Sequence, residues 1–333
     1  MKTTSLESIK ELWKGRLLRF TPYIILGIIF VILPPVSPIY LQSMMTKVLI
    51  FAIFAASLNI IMGYTGMLSL GHAAYFGVGG YTVGIFITKC GIESFWIILP
   101  CAILIAAITA AILGAIALRA SGIYFLLVTF ALSMLLFSIA VKWYSLTQGT
   151  DGFPGLPRPN LDISGFRWNT TNFYFFVLLA SAICLYLMYR IIKSPFGLVL
   201  QGIRESELRM RTLGYNTWLY KYIAFIIAGA FAGIAGMFFA YHNDYISPVN
   251  LGVLYSGLVM LICIIGGLGT FWGPVIGALV VILVEYFSSL YVPERWPLIL
   301  GGVFILAVIF LRGGISPHLS RLWKMIGYGS VKS

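Results

Sequence analysis

Charge is what this chain has least of. Only 10% of its 333 residues are Asp, Glu, Lys or Arg, and only ten are acidic. Too few ionised side chains are available to cover a hydrophobic core with a wettable surface, which excludes a soluble globular protein. Cysteine and histidine are also scarce. Cys90, Cys101, Cys184 and Cys263 have no C-x-x-C spacing, and His72, His242 and His318 lie far apart, so neither a disulfide framework nor a structural metal site is expected. A nucleotide-binding G-x-x-x-x-G-K-[ST] is missing. The nearest spacing, Gly197 to Gly202, continues into Ile203 and Arg204 and lacks the phosphate-reaching lysine and the Mg²⁺-binding hydroxyl. No cofactor is therefore expected on this chain, and ATP, if used, is bound elsewhere. The apolar stretches hold no paired carboxylates, metal ligands or nucleophile-base pair, which leaves an intramembrane enzyme a poor third reading.

What is abundant is hydrophobic sequence: 60% of the residues, with a mean hydropathy of +0.98. The fold class this implies is an all-α integral membrane protein that crosses the bilayer many times. A net charge of +12 would suggest nucleic acid in a soluble protein. Here the basic residues sit at the ends of apolar spans, so they report topology and no nucleic-acid partner is expected. Residues 1–21 form a basic segment, and the apolar stretch after it is too long for a secretory h-region, so it reads as an uncleaved first span.

Periodicity and length place helices near 22–41, 44–64, 67–88, 95–118, 121–141, 173–193, 221–242, 254–271, 274–291 and 296–312. That gives about ten transmembrane helices (range 8–10) in a permease domain over 22–312, with an outer loop at 142–172, a cytoplasmic segment at 194–220 and a tail at 313–333. With the N-terminus cytoplasmic, sixteen of the 22 Lys and Arg residues fall inside; Lys47, Lys89, Lys142, Arg158, Arg167 and Arg295 fall outside. This bias puts both termini on the cytoplasmic side. The second and third helices are joined by only a few glycine-rich residues, as are the eighth and ninth. Either pair could contain a re-entrant or broken helix. The two breaks, 63–71 and 266–274, occupy different ordinal positions in the two halves, which weakens an inverted repeat.

Non-helical backbone at membrane depth needs protein or a water-filled cavity beside it. The first break carries Asn59, Thr65, Gly66, Ser69, Gly71 and His72, and the second Gly266, Gly267 and Gly269. These nine are the candidate translocation path, although His72 could merely hydrogen-bond a neighbouring helix. Three glycine sets, 77/80/84, 229/233/236 and 269/273/277, each share a face suited to close helix packing. The 194–220 segment reads as one short surface helix, started by Ser194-Pro195 and ended by Gly214. Its i,i+4 pairs are Glu205 with Arg209 and Glu207 with Arg211. It is either an interfacial helix with snorkelling basic residues or a docking helix that receives force from a partner. Glu285 stands alone as an intramembrane carboxylate, read as protonated or water-contacting with a proton relay as the minority reading. The 147–160 stretch is a Gly- and Pro-rich turn region or a surface that faces a partner.

Five motifs occur in order: GYTGMLSLGHAAYFGVGGY at 63–81, SGIYFLLVTFAL at 121–132, TQGTDGFPGLP at 147–157, SPFGLVLQGIRESELRMRTLGYNTWLYKYIAFIIAGAFAGIAGMFFA at 194–240, and GGLGTFWGPVIGA at 266–278. Together they resemble the LivM-type permease of branched-chain amino acid ABC transporters. The resemblance implies the ABC importer permease fold and a bacterial inner-membrane location. It also implies a second homologous permease, two ATP-binding subunits that carry ATP and Mg, a periplasmic solute-binding protein and surrounding membrane lipid. Gly202, Arg204, Glu205, Glu207, Leu213 and Gly214 match the family's ATPase-coupling motif; where the family often has two small residues, this chain has Arg209 and Met210. Leucine, isoleucine or valine would need only neutral donors and acceptors and an apolar wall, since each carries both charges itself. Urea or a short amide is the alternative solute, and an ion-coupled transporter acting alone is the alternative class.

Overall fold

In the computed structural model, residues 37–162, 168–291, 293–310 and 313–318 are described, with positions 27 and 30. The expected span 22–41 and the terminal segments fall largely outside these residues. Among the described residues the α-helices longer than four residues are α1 (Ile39–Asn59), α2 (His72–Thr88), α3 (Phe95–Ala117), α4 (Ile123–Lys142), α5 (Thr170–Lys193), α6 (Pro195–Glu205), α7 (Glu207–Thr212), α8 (Thr217–Asn243), α9 (Val253–Gly266), α10 (Gly273–Tyr291) and α11 (Trp296–Phe310). A π-helical turn, Ile60–Tyr64, continues α1. Six of these segments are long and apolar enough to cross a membrane: Ile39–Tyr64, α3, α4, α5, α8 and α10. The chain is a multi-pass helical membrane protein.

The architecture follows from two hairpins. The first runs down α1 and returns up α2; the second runs down α9 and returns up α10. Sequence periodicity continues α2 back to 67 and α9 on to 271, but both helices are shorter. Glycines at positive φ, Gly66 in the first break and Gly267 and Gly269 in the second, cannot continue a right-handed helix. With 14 residues, α9 is about 21 Å long, too short for a ~30 Å hydrocarbon core. A short 3₁₀ turn, Pro248–Leu251, precedes it and carries the chain inward. Leu251 there accepts from Ser133 of α4 at 2.8 Å and lies against Gly77 in the middle of α2.

Helix α1 is buried almost along its whole length, as expected of an apolar helix without a polar face. α3, α4 and α5 instead leave Leu104, Ile112, Leu127, Leu135, Leu179 and Ile183 exposed, which suits lipid. The tightest contacts are made where small residues let backbones meet. A Cβ at Gly79 would collide with the backbone of Gly233, one at Gly236 with the carbonyl of Phe76, and ones at Gly229 and Gly233 with Ala110 and Ala106 of α3. The third glycine set does not share a helix face, because Gly269 precedes the start of α10.

At the end opposite α6 and α7, the Gly- and Pro-rich loop is packed rather than simply solvated. Strand β1 (Phe153–Pro154) pairs antiparallel with β2 (Tyr245–Ile246), and Phe153 is fully buried against Gly84 and Tyr81 of α2. Gly152 at φ +66° makes the turn where a Cβ would strike the Ile246 carbonyl.

Candidate functional site

The two breaks meet each other. Winding α1 into a π turn at 60–64 leaves carbonyls that the regular ladder no longer satisfies. The Thr65 hydroxyl donates to Ile60 O at 2.9 Å, and the Met67 amide to Ile61 O at 3.1 Å. The carbonyl of Gly63 is taken by Nη1 of Arg204, which reaches across from α6. The stem of Arg204 lies over Gly66, where a Cβ would come within 3.1 Å of its Cγ, and its guanidinium fills the space that a Cβ on Gly269 would need. One side chain of the charged segment thus touches both breaks.

Asn59 fastens the breaks from within. Its Oδ1 accepts from the Gly269 amide at 3.0 Å and its Nδ2 donates to Thr270 O at 2.9 Å. The side chain is almost fully buried. Asn59→Leu strands a part-buried donor and acceptor, each worth about 1–3 kcal/mol, so a loss of roughly 2–6 kcal/mol is expected. A drop in melting temperature of the detergent-purified protein measures it. On its other side the second break is covered by 313–318, with Gly314 directly against Gly266 and Gly267.

The remaining break residues are held by neighbouring helices. His72 opens α2; the Ser57 hydroxyl donates to Phe54 O at 2.7 Å and lies 2.8 Å from His72 Nε2, which assigns the ring proton to Nε2. The His72 ring stacks on Phe54 at 5.5 Å, and its Nδ1 is buried with no partner among the described residues. Ser256 of α9 accepts from the Ala73 amide, Thr129 of α4 from the Leu70 amide, and Ser69 from the Gly71 amide. Gly71 has no room for a Cβ against the Thr129 carbonyl, nor Gly266 against Gly273. Asn59, Thr65, Ser69 and His72 are at most 3% exposed, so in this conformation they hold the break closed from inside.

The charged segment is two helices, not one. α6 begins at Pro195 as expected, although the Ser194 hydroxyl donates back to Ile191 O instead of capping. Ser206 in extended conformation ends α6, and its side chain caps α7 through the Arg209 amide. That interruption takes Glu205 and Arg209 off a common helix face, and no salt bridge between them is found among the described residues. Met210 packs on Gly202 and holds α7 against α6. Gly214 at φ +88° ends the segment. Leu198, Glu205, Leu208 and Leu213 are exposed, an apolar and charged surface that no other described residue covers.

Glu207 ties α7 to α8. Its Oε1 accepts from Arg211 Nη2 at 2.7 Å and from the Thr217 hydroxyl at 3.0 Å, and its Oε2 from Lys221. Burial alone would raise its pKa, but the Lys221 bond and charge, with the Arg211 and Thr217 hydrogen bonds, hold the carboxyl below its ordinary value. A depressed folded value means the tie contributes fully above the unfolded carboxylate pKa, about 4.3, and is lost as pH falls through the lower folded one. A spin label at position 208 is therefore expected to stay immobile from neutral pH down to ~4.3 and loosen only in stronger acid. In Glu207→Gln the same label is expected to be loose already at neutral pH.

Several members of this arrangement gave no signal in the sequence. Met210 reads as a departure from the motif, and Ser57, Thr129 and Ser256 are ordinary small polar residues of apolar helices. Lys47, placed outside as a topology marker, lies within α1 and pairs with Glu285 of α10 at 2.8 Å, so that carboxylate is not isolated.

Many apolar helices, broken where backbone must yield and gripped at one end by a charged helix pair, are the build of a membrane permease. The chain belongs to the family described as the branched-chain amino acid transport system permease component, whose model matches residues 40–310. It is 29% identical to the high-affinity branched-chain amino acid transport system permease protein LivM of Escherichia coli strain K12, over 86% of this chain and 72% of that one. LivM of Salmonella typhimurium is 28% identical, covering 82% and 69% of the two chains. A probable branched-chain amino acid transport permease protein LivM of Methanocaldococcus jannaschii is 25% identical, covering 73% and 79%. No solved structure matches.

Proposed function

We propose that this chain is one of two related permease subunits in an ABC importer of the bacterial inner membrane, forming with the second the path for leucine, isoleucine and valine. Its relatives' names supply the solute class. An even number of spans within the expected 8–10, with both termini cytoplasmic, puts α6 and α7 on the cytoplasmic face and the β1–β2 loop outside, where a solute-binding protein delivers its cargo; the bias of basic residues supports this orientation. ATP and Mg are held by two partner subunits that dock on α6 and α7.

The observation that carries this reading is the reach of Arg204 to Gly63 and Gly269. A push on α6 acts at once on the turns of both hairpins, α1–α2 and α9–α10. Rigid helices then tilt about the glycine breaks, and the path through Asn59, Thr65, Gly66, Ser69, Gly71, His72 and Gly266, Gly267 and Gly269 opens to each side in turn. Solute moves only if the site binds weakly in both states.

The complex, reconstituted in vesicles with ATP inside and solute-binding protein outside, is expected to accumulate radiolabelled leucine. Accumulation of urea with none of leucine would favour the amide reading instead.

A further inference from the structure

Lys47 and Glu285 are the two formal charges set deepest along any described helix, and they face each other across α1 and α10 at 2.8 Å. Neither is sealed in: the side chains are 30% and 19% exposed. Glu285 Oε2 is without a hydrogen-bond partner among the described residues. The pair lies toward the end of the bundle opposite α6, one helical turn from Ser43, which approaches His242 at 3.5 Å. Aromatic rings flank it. The Lys47 ammonium is 5.8 Å from the Phe51 ring, and Tyr40 stacks on Tyr286 at 6.1 Å.

The fold alone does not call for these charges. A charge costs about 3 kcal/mol at the bilayer centre on insertion scales and less toward the interface. Even a buried ion pair roughly breaks even with apolar residues of the same volume, and apolar residues fill α1 from Val48 to Ala56. We propose that the pair is a binding site for the α-carboxylate and α-ammonium of a free amino acid on the translocation path. The carboxylate takes Lys47 Nζ and the ammonium takes the Glu285 carboxylate, whose Oε2, buried and unpartnered among the described residues, is uncovered when the pair parts. This deepens the importer reading and rests on it. A zwitterion replaces the pair charge for charge, so the site stays neutral whether filled or empty. When solute leaves, Lys47 and Glu285 close on each other again. That competition keeps the affinity low, as alternating access requires. An uncharged solute such as urea gains nothing from opening the pair.

The test uses the assembled complex in vesicles, comparing Lys47→Met, Glu285→Gln and the two together. Each single variant is expected to lower leucine uptake about tenfold or more, because it leaves one charge unpaired. The double variant separates the roles. If the pair only supports the fold, removing both partners relieves the unpaired charge and uptake returns, which overturns the proposal. If the pair holds solute, uptake stays at the level of the single variants while the complex still assembles. A second measurement needs no variant: reductive methylation of Lys47 in the wild-type complex, followed by mass spectrometry. Leucine is expected to slow the labelling severalfold while urea leaves it unchanged; equal rates with and without saturating leucine contradict the site. Wild-type vesicles that take up urea but no leucine would overturn both the solute assignment and this site, whereas normal leucine uptake by the double variant removes the site alone.

Discussion

Arg204→Glu is expected to leave the protein inserted and the complex assembled, with ATP hydrolysis running and solute uptake lost. The variant removes a hydrogen bond from a charged donor, worth about 1.5–3 kcal/mol, and sets a carboxylate against the Gly63 carbonyl that the guanidinium now serves. A repulsive contact at the meeting of two hairpins separates the moving element from what it moves. The expected loss of uptake is about tenfold to a hundredfold. Arg204→Lys keeps the charge but not the planar fork, and should fall between the two. Leucine uptake per ATP hydrolysed, measured in vesicles, is the readout; an unchanged ratio in Arg204→Glu would show that force enters elsewhere. Gly202→Trp tests the same element, since a bulky ring must displace Met210 and part α7 from α6.

Gly79→Val should be more severe and of a different kind. The new branched side chain meets backbone, the Gly233 carbonyl group, rather than a side chain that could rotate away. α2 and α8 must separate, and the contacts of Gly229 and Gly233 with Ala110 and Ala106 go with them. Overpacking of this sort costs about 3 kcal/mol at the upper end of its usual range, a large share of a native stability of ~5–15 kcal/mol. Little monodisperse protein should be recovered from membranes. Gly257→Ala is the control, since nothing lies within 4 Å of the added Cβ. Equal recovery and equal melting temperatures for the two variants would contradict this account of the helix packing.

These two sites also mark what the sequence could reveal. Long apolar runs bounded by Lys and Arg identify membrane helices because lipid leaves backbone few alternatives, and the start of α6 and the end of α7 follow from Pro195 and Gly214. Glycines 66, 267 and 269 marked the breaks. Their meeting could not be read, because the contacts that join them, Asn59 to Gly269 and Arg204 to Gly63, span 210 and 141 residues of chain. The interruption at Ser206 was hidden for a local reason: helix periodicity continues through it, and only the cap formed with the Arg209 amide divides α6 from α7. Lys47 reads in the sequence as a topology marker near the start of a span, and its pairing with Glu285, 238 residues further along the chain, could not be read.

The central claim is that this chain is a gate moved from outside itself. The most direct test is solute accumulation in sealed vesicles that contain both permease subunits, with and without the ATP-hydrolysing subunits, under an imposed proton gradient and membrane potential. The account predicts uphill leucine accumulation with those subunits and ATP, and none without them. Accumulation against a gradient by the permeases alone would contradict it.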